Sequence, residues 1–333
     1  MKSTRLRWLA LLAPALLVCA VSARAGVTAW IPLEIRDGVI LLPAEIAGTP
    51  AKAMLATGTN QHQVSKEFAL RLGLDLSGKR YESVGRGGRE YDVRSVDRLP
   101  IKLFGVAFEL HDVPAYDQGP DLVIGAGFLA AFILQIDYPN SRMRLVTHDA
   151  IDMKKVGNTL LRLEEFWGTP VVQVTLDGDE RWLELDTAHA GPTLIRRLLA
   201  EDKGWITKYL KETNAERELL VFPSFKIGPF ELTDVPVEVP APGVQSNVGS
   251  FRKQGPDRDT NLRTGVRVSG ILGYEVLRHF VVTIDYEREA MHIATPAEEP
   301  KAVAAEAEVA PEQTPAPEQA PAAAPSPEPA REH

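Results

Sequence analysis

Trp182-Leu183-Glu184-Leu185-Asp186-Thr187-Ala188 alternates apolar and polar side chains, carries one carboxylate to its end and then turns into small residues. The pattern is that of a short strand ending in a tight loop. A second copy lies 130 positions upstream, Ala53-Met54-Leu55-Ala56-Thr57-Gly58-Thr59, with Ala56 where the later copy has Asp186. Outward from these stretches the match continues. Pro43-Ala44-Glu45-Ile46-Ala47-Gly48 precedes Ala56 as Gln173-Val174-Thr175-Leu176-Asp177-Gly178 precedes Asp186, each Gly eight residues before its loop. Further along, Leu122-Val123-Ile124-Gly125, Phe128-Leu129, Phe132 and Ile136-Asp137-Tyr138 match Gly270-Ile271-Leu272-Gly273, Val276-Leu277, Phe280 and Ile284-Asp285-Tyr286, now 148 positions apart. Two blocks recurring in the same order mark an internal duplication. The change of offset places about 18 extra residues in the second copy, expected in the Gly- and Pro-rich segment 240–264.

Both copies read mainly as short strands. Val39 to Ile46, Lys52 to Leu55, Leu99 to Phe104, Leu134 to Asp137, Pro170 to Leu176, Glu218 to Phe222 and Val281 to Ile284 are alternating or β-branched runs bounded by turn residues. Helical signals are brief. Ser65 to Leu72 begins with a capping serine and stops at Gly73, and Thr193 to Leu199 is expected as its counterpart. Gly127 to Phe132 and Glu275 to Phe280 give a turn or two each.

The flanks are of another kind. Residues 1–25 place Lys2, Arg5 and Arg7 ahead of an apolar run from Trp8 to Val21 and an Ala23-Arg24-Ala25 cleavage site, the layout of a secretory signal. The run is too short to span a bilayer comfortably. A periplasmic or secreted location follows, with no membrane span. Cys19, the single cysteine, lies inside this segment; its alternative use is a lipid-modified N-terminus, and cleavage after Ala25 leaves a chain with no thiol. Four of the 37 basic residues fall before position 26, so the mature chain sets 33 of them against 45 acidic ones, a net charge near −12. Nucleic acid is excluded as a partner on that balance. From 296 to 333 the chain is Pro, Ala and Glu with almost no large apolar residue, which reads as a disordered tail, either a spacer or a motif for a partner.

An apolar strand ending in Asp-Thr-Gly, a short helix closing at Leu-Gly, a Gly-rich hairpin, and then two apolar residues with Gly before a small helix resembles the half-unit of retropepsin-like and pepsin-like aspartic peptidases. Here the matching residues are Leu55-Ala56-Thr57-Gly58 through Leu72-Gly73, Gly85-Arg86-Gly87-Gly88 and Ile124-Gly125, then Leu185-Asp186-Thr187-Ala188 and Leu272-Gly273. The whole is similar to exported bacterial proteins built from two such lobes. The resemblance implies an all-β fold with a few short helices, in two tandem lobes at 26–149 and 150–295. It also implies a peptide or protein ligand in the cleft between them, with no cofactor and no metal.

In that family two carboxylates face each other across the lobes and share one proton. The ionised one takes a proton from water as the protonated one donates to the peptide carbonyl. The resemblance makes Asp186 the one acid present, with Ala56 at its partner's position. It also assigns Thr57, Gly58, Thr187 and Ala188 to the structure of the site and Gly85, Gly87 and Gly88 to a flap. Blander uses stand beside these: Asp186 as a turn carboxylate, Gly87-Gly88 as an ordinary hairpin turn, and Asp137-Tyr138 and Asp285-Tyr286 as structural strand ends. His62, in the first loop, is either a substitute base or a loop residue. Pro192 stands where the second loop is expected to carry a hydroxyl, and Ala188 where it is expected to carry a freely turning glycine. An exported peptidase relative that binds without cleaving, and a peptidase working with Asp186, both follow from this pattern.

Overall fold

The computed structural model describes residues 26–84, 90–117, 119–163, 168–244 and 266–296. The signal segment, Gly85, Gly87 and Gly88, most of the expected insertion (245–265) and the tail from 297 lie outside the described residues. What is described is mostly β, and none of its helices exceeds six residues.

The two copies fold alike because their turns are alike. Val39–Ile46 and Thr49–Ala56 pair antiparallel around Ala47 and Gly48, at φ 48° and 78°. Pro170–Leu176 and Asp179–Leu185 do the same around Asp177 and Gly178, at φ 49° and 84°. Two successive left-handed residues give the tight hairpin whose twist suits the paired strands, and glycine takes the second position without steric cost. The outgoing strand of each hairpin then runs parallel to a later, fully buried strand. Ala53 lies opposite Leu122 and Leu55 opposite Ile124 in the first copy; Leu183 lies opposite Gly270 and Leu185 opposite Leu272 in the second. The two sequence offsets are therefore reproduced as register.

The copies join through a strand from each. Ile133–Asp137 pairs antiparallel with Val281–Asp285, centred on Gln135 opposite Thr283, and Gln135 Nε2 donates to Thr283 Oγ1 at 2.9 Å. Positions 135 and 283 are equivalent under the 148-residue offset, so a pseudo-twofold axis passes through this pair. Strands from both sides of position 149 share one large sheet, while most of the first copy forms an eight-stranded sheet of its own. A single apolar cluster runs through both, from Leu55, Leu99 and Ile136 to Leu185, Trp205 and Ile284.

Local expectations are met where propensity and pairing agree. Ser65 accepts the Phe68 N–H at 3.3 Å and caps the helix Lys66–Arg71, which ends at Gly73 with φ 67°. The helix expected over Thr193 to Leu199 is corrected. Thr193–Ile195 is a strand between Val235–Pro240 and Val268–Leu272, and helix begins only at Arg197–Asp202. The β-branched Thr193 and Ile195 find sheet partners on both sides, and that pairing outweighs the helical pattern downstream. Similarly, the strand expected from Leu99 to Phe104 is the end of a longer one, Glu90–Leu103, and Phe104 with Gly105 makes the turn.

Candidate functional site

Each outgoing hairpin strand delivers its loop to the same place, and the loops hold one another. The Thr57 N–H donates to Thr187 Oγ1 at 3.1 Å, and the Thr187 N–H donates to Thr57 Oγ1 at 3.0 Å. In turn Thr57 Oγ1 donates to the Leu185 carbonyl and Thr187 Oγ1 to the Leu55 carbonyl, both at 2.7 Å. The four bonds form two pairs related by the 130-residue offset. Both threonines are buried, and each hydroxyl acts once as donor and once as acceptor. Ala56 and Asp186 directly precede these threonines and are thereby brought to one axis. Both are buried, at 3% and 2% exposure.

Asp186 uses the site asymmetrically. Its Oδ1 accepts the N–H of Ala188 in its own loop at 3.0 Å and the N–H of Gly58 in the opposite loop at 3.1 Å. Gly58 is the residue equivalent to Ala188, so one oxygen takes the amides of both loops. With Asp186 ionised these are charge-assisted bonds, which are among the stronger ones in proteins. Ala188 stands where the resemblance expects a freely turning glycine. Neither Ala188 nor Gly58 has a positive φ, so alanine fits the loop without backbone strain.

Behind the loops the correspondence between the two halves continues. The Thr59 carbonyl accepts the N–H of Ala126 at 2.6 Å, and the His189 carbonyl accepts that of Tyr274 at 3.0 Å, each seating a loop on the short helix after the Gly125 or Gly273 strand end. The glycines allow this approach. A Cβ on Gly125 would lie 2.7 Å from the carbonyl oxygens of Thr59 and Gln61, and one on Gly273 2.7 Å from that of His189.

His62 is placed in this support and not in the role of a base. Its Nδ1 accepts the Gly125 N–H at 3.3 Å, and burial lowers its affinity for a proton, which suits a neutral acceptor ring. His189, which the sequence did not single out, lies in the second loop. Its Nε2 lies 2.8 Å from the Pro192 carbonyl, and a carbonyl can only accept, so Nε2 carries the hydrogen. The signal was available in its position, three residues after Asp186, as Thr59 follows Ala56.

Asp137 and Asp285 are structural as expected. Asp137 accepts from Asn140 and from Arg142 Nε at 2.7 Å, and Asp285 from the Arg288 backbone at 3.1 Å and its Nη1 at 2.9 Å. Among the described residues, no group of three His, Cys, Asp or Glu is placed to hold a metal ion, and no helix is long and apolar enough to cross a membrane.

No family model and no curated protein matches the chain. Solved structures do. It is similar to an aspartic proteinase from Irpex lacteus at 10% identity, over 81% of this chain and 97% of that one, with a TM-score of 0.48. It is also similar to Basic 7S globulin from soybean at 10% identity, over 81% and 95%, with a TM-score of 0.45. A retropepsin-like aspartic protease from Rickettsia conorii is 21% identical, over 37% of this chain and 92% of that one, with a TM-score of 0.29. At TM-scores below 0.5 these similarities add nothing to what the loops' own hydrogen bonds establish.

Proposed function

We propose that this chain is an exported aspartic-peptidase-like protein that holds an extended peptide or protein segment between its two copies and does not cleave it. The observation that carries this is the pairing of an intact loop clasp with a single carboxylate. The four threonine bonds tie together the two loops that carry Ala56 and Asp186, which supports reading these as the positions of a proton-sharing pair. Ala56 offers neither a proton nor an acceptor, and Asp186 Oδ1 takes the Gly58 amide as well as its own. One carboxylate cannot at once deprotonate a water and protonate a carbonyl, and each such transfer is typically worth about a hundredfold or more.

Binding is measured with a fluorescently labelled, unstructured peptide library followed by mass spectrometry of the recovered peptides. Saturable binding with every peptide recovered intact is the expected result. A library without a single saturable binder would remove the cleft from the proposal. Export is tested on the protein purified from its native host, whose first residue is expected to be Gly26; a chain still beginning at Met1 would contradict it. The second reading, a peptidase working with Asp186, keeps one supporting observation: the acid is buried and firmly oriented.

A further inference from the structure

The loop that follows Asp186 is braced from outside by a turn of the first copy. Glu34–Arg36 and Val39–Ile46 pair antiparallel around Asp37 and Gly38, at φ 50° and 81°. Gly38 is buried against Ala190: a Cβ on it would lie 2.3 Å from the Ala190 carbonyl oxygen and 3.0 Å from the Ala190 Cα. Glycine is therefore needed twice here, for the left-handed backbone and for the close approach. Ala190 is itself held near the acid, because the preceding His189 N–H donates to the Asp186 carbonyl at 3.1 Å.

Asp37 stands beside Gly38 at the tip of this turn and is exposed. Among the described residues it has neither a hydrogen bond nor an ion pair. The cations around it are already engaged. Arg36 and Lys52 both bond Glu34, and Arg278, just past the short helix on which the second loop is seated, pairs with Glu275 at 3.3 Å. The bland use of Asp37 is the turn itself, since Asp-Gly suits two successive left-handed residues. Asn-Gly suits them equally, so the turn does not account for the charge. What remains is a carboxylate fixed against the Asp186 loop and left unmatched by its own chain.

We propose that the Asp37-Gly38 turn is one wall of the ligand cleft beside the Asp186 loop, and that Asp37 selects a lysine or arginine side chain of the bound segment. An extended segment advances about 3.3 Å per residue, so a side chain a few positions from the one facing Asp186 reaches the turn. The formal net charge of −8 also draws cations to the protein as a whole. That general attraction is separated from the local one by a control that removes a negative charge elsewhere.

This rests on the peptide-binding reading above. The labelled, unstructured peptide library is bound to wild type, Asp37→Asn and Glu289→Gln, and the recovered peptides are sequenced by mass spectrometry. Asparagine keeps the left-handed turn and removes only the charge. Glu289 is an exposed turn residue, φ 49°, between Val281–Asp285 and Ala290–Ala294, and its change removes the same charge far along the chain from Asp37. Lysine and arginine are expected to be enriched about threefold in peptides held by wild type and by Glu289→Gln, and not enriched in those held by Asp37→Asn. Enrichment that persists in Asp37→Asn, that is absent from wild type, or that falls equally in Glu289→Gln would overturn the inference and leave peptide binding standing. A library without a single saturable binder would overturn both.

Discussion

Thr57→Val and Thr187→Val are each expected to lower the unfolding free energy by about 3 kcal/mol, and the melting temperature by roughly 6–10 °C. Valine keeps the shape of threonine and removes only the hydroxyl. In Thr57→Val that leaves the Leu185 carbonyl and the Thr187 N–H without partners, both in a buried site. Thr187→Val does the same to the Leu55 carbonyl and the Thr57 N–H. An unmatched buried group costs about 1–3 kcal/mol, and there are two in each variant. Serine at either position keeps donor and acceptor and is expected to recover most of the loss. Because the two hydroxyls belong to one clasp, each bonding the backbone of the other's loop, the double valine variant is expected to lose less than the sum of the singles. Melting temperatures within a degree of wild type for both valine variants would mean that the clasp does not hold the copies together.

Ala56→Asp has the largest expected effect on chemistry. The new carboxylate takes the Gly58 N–H of its own loop, as Asp186 takes that of Ala188, and Asp186 gives up its bond across the axis. Two carboxylates this close cannot both ionise freely, so they share a proton and titrate as a pair. Peptide cleavage is expected to appear with a bell-shaped acid profile, at least about a hundredfold above the wild-type background. Stability should respond in a way fixed by sign. A carboxyl whose folded-state pKa is raised above its unfolded value favours the folded state only while protonated, so the variant loses stability as pH rises through the raised pKa. A folded variant with no cleavage and no such loss would show that the two loops do not present a proton-sharing pair.

Much of this was legible in the sequence because the matched blocks at 130 and 148 positions carried it. Val39–Ile46 and Pro170–Leu176 are strands at the bounds their patterning suggests, and the 130- and 148-residue offsets reappear as register and as a two-fold axis. The cross-loop bonds of Thr57 and Thr187 agree with the structural role that the family resemblance implies for them. What escaped depends on partners distant in sequence. Thr193–Ile195 becomes a strand through neighbours more than 40 residues away. His62 cannot be assigned until Gly125 is seen beside it. The bond from Gly58 to Asp186 joins residues 128 positions apart and is a property of two loops and not of either. Tyr138 and Tyr286 read as strand-end residues, which they are.

The central claim is that the clasp survives here with one carboxylate and without peptide hydrolysis. It is tested most directly by incubating an unfolded protein substrate with wild type and with Asp186→Asn from pH 3 to pH 8 and counting new N-termini by mass spectrometry. The same near-zero count for both proteins at every pH is the result expected. Cleavage by wild type that disappears in folded Asp186→Asn would contradict it and make Asp186 a working catalytic acid.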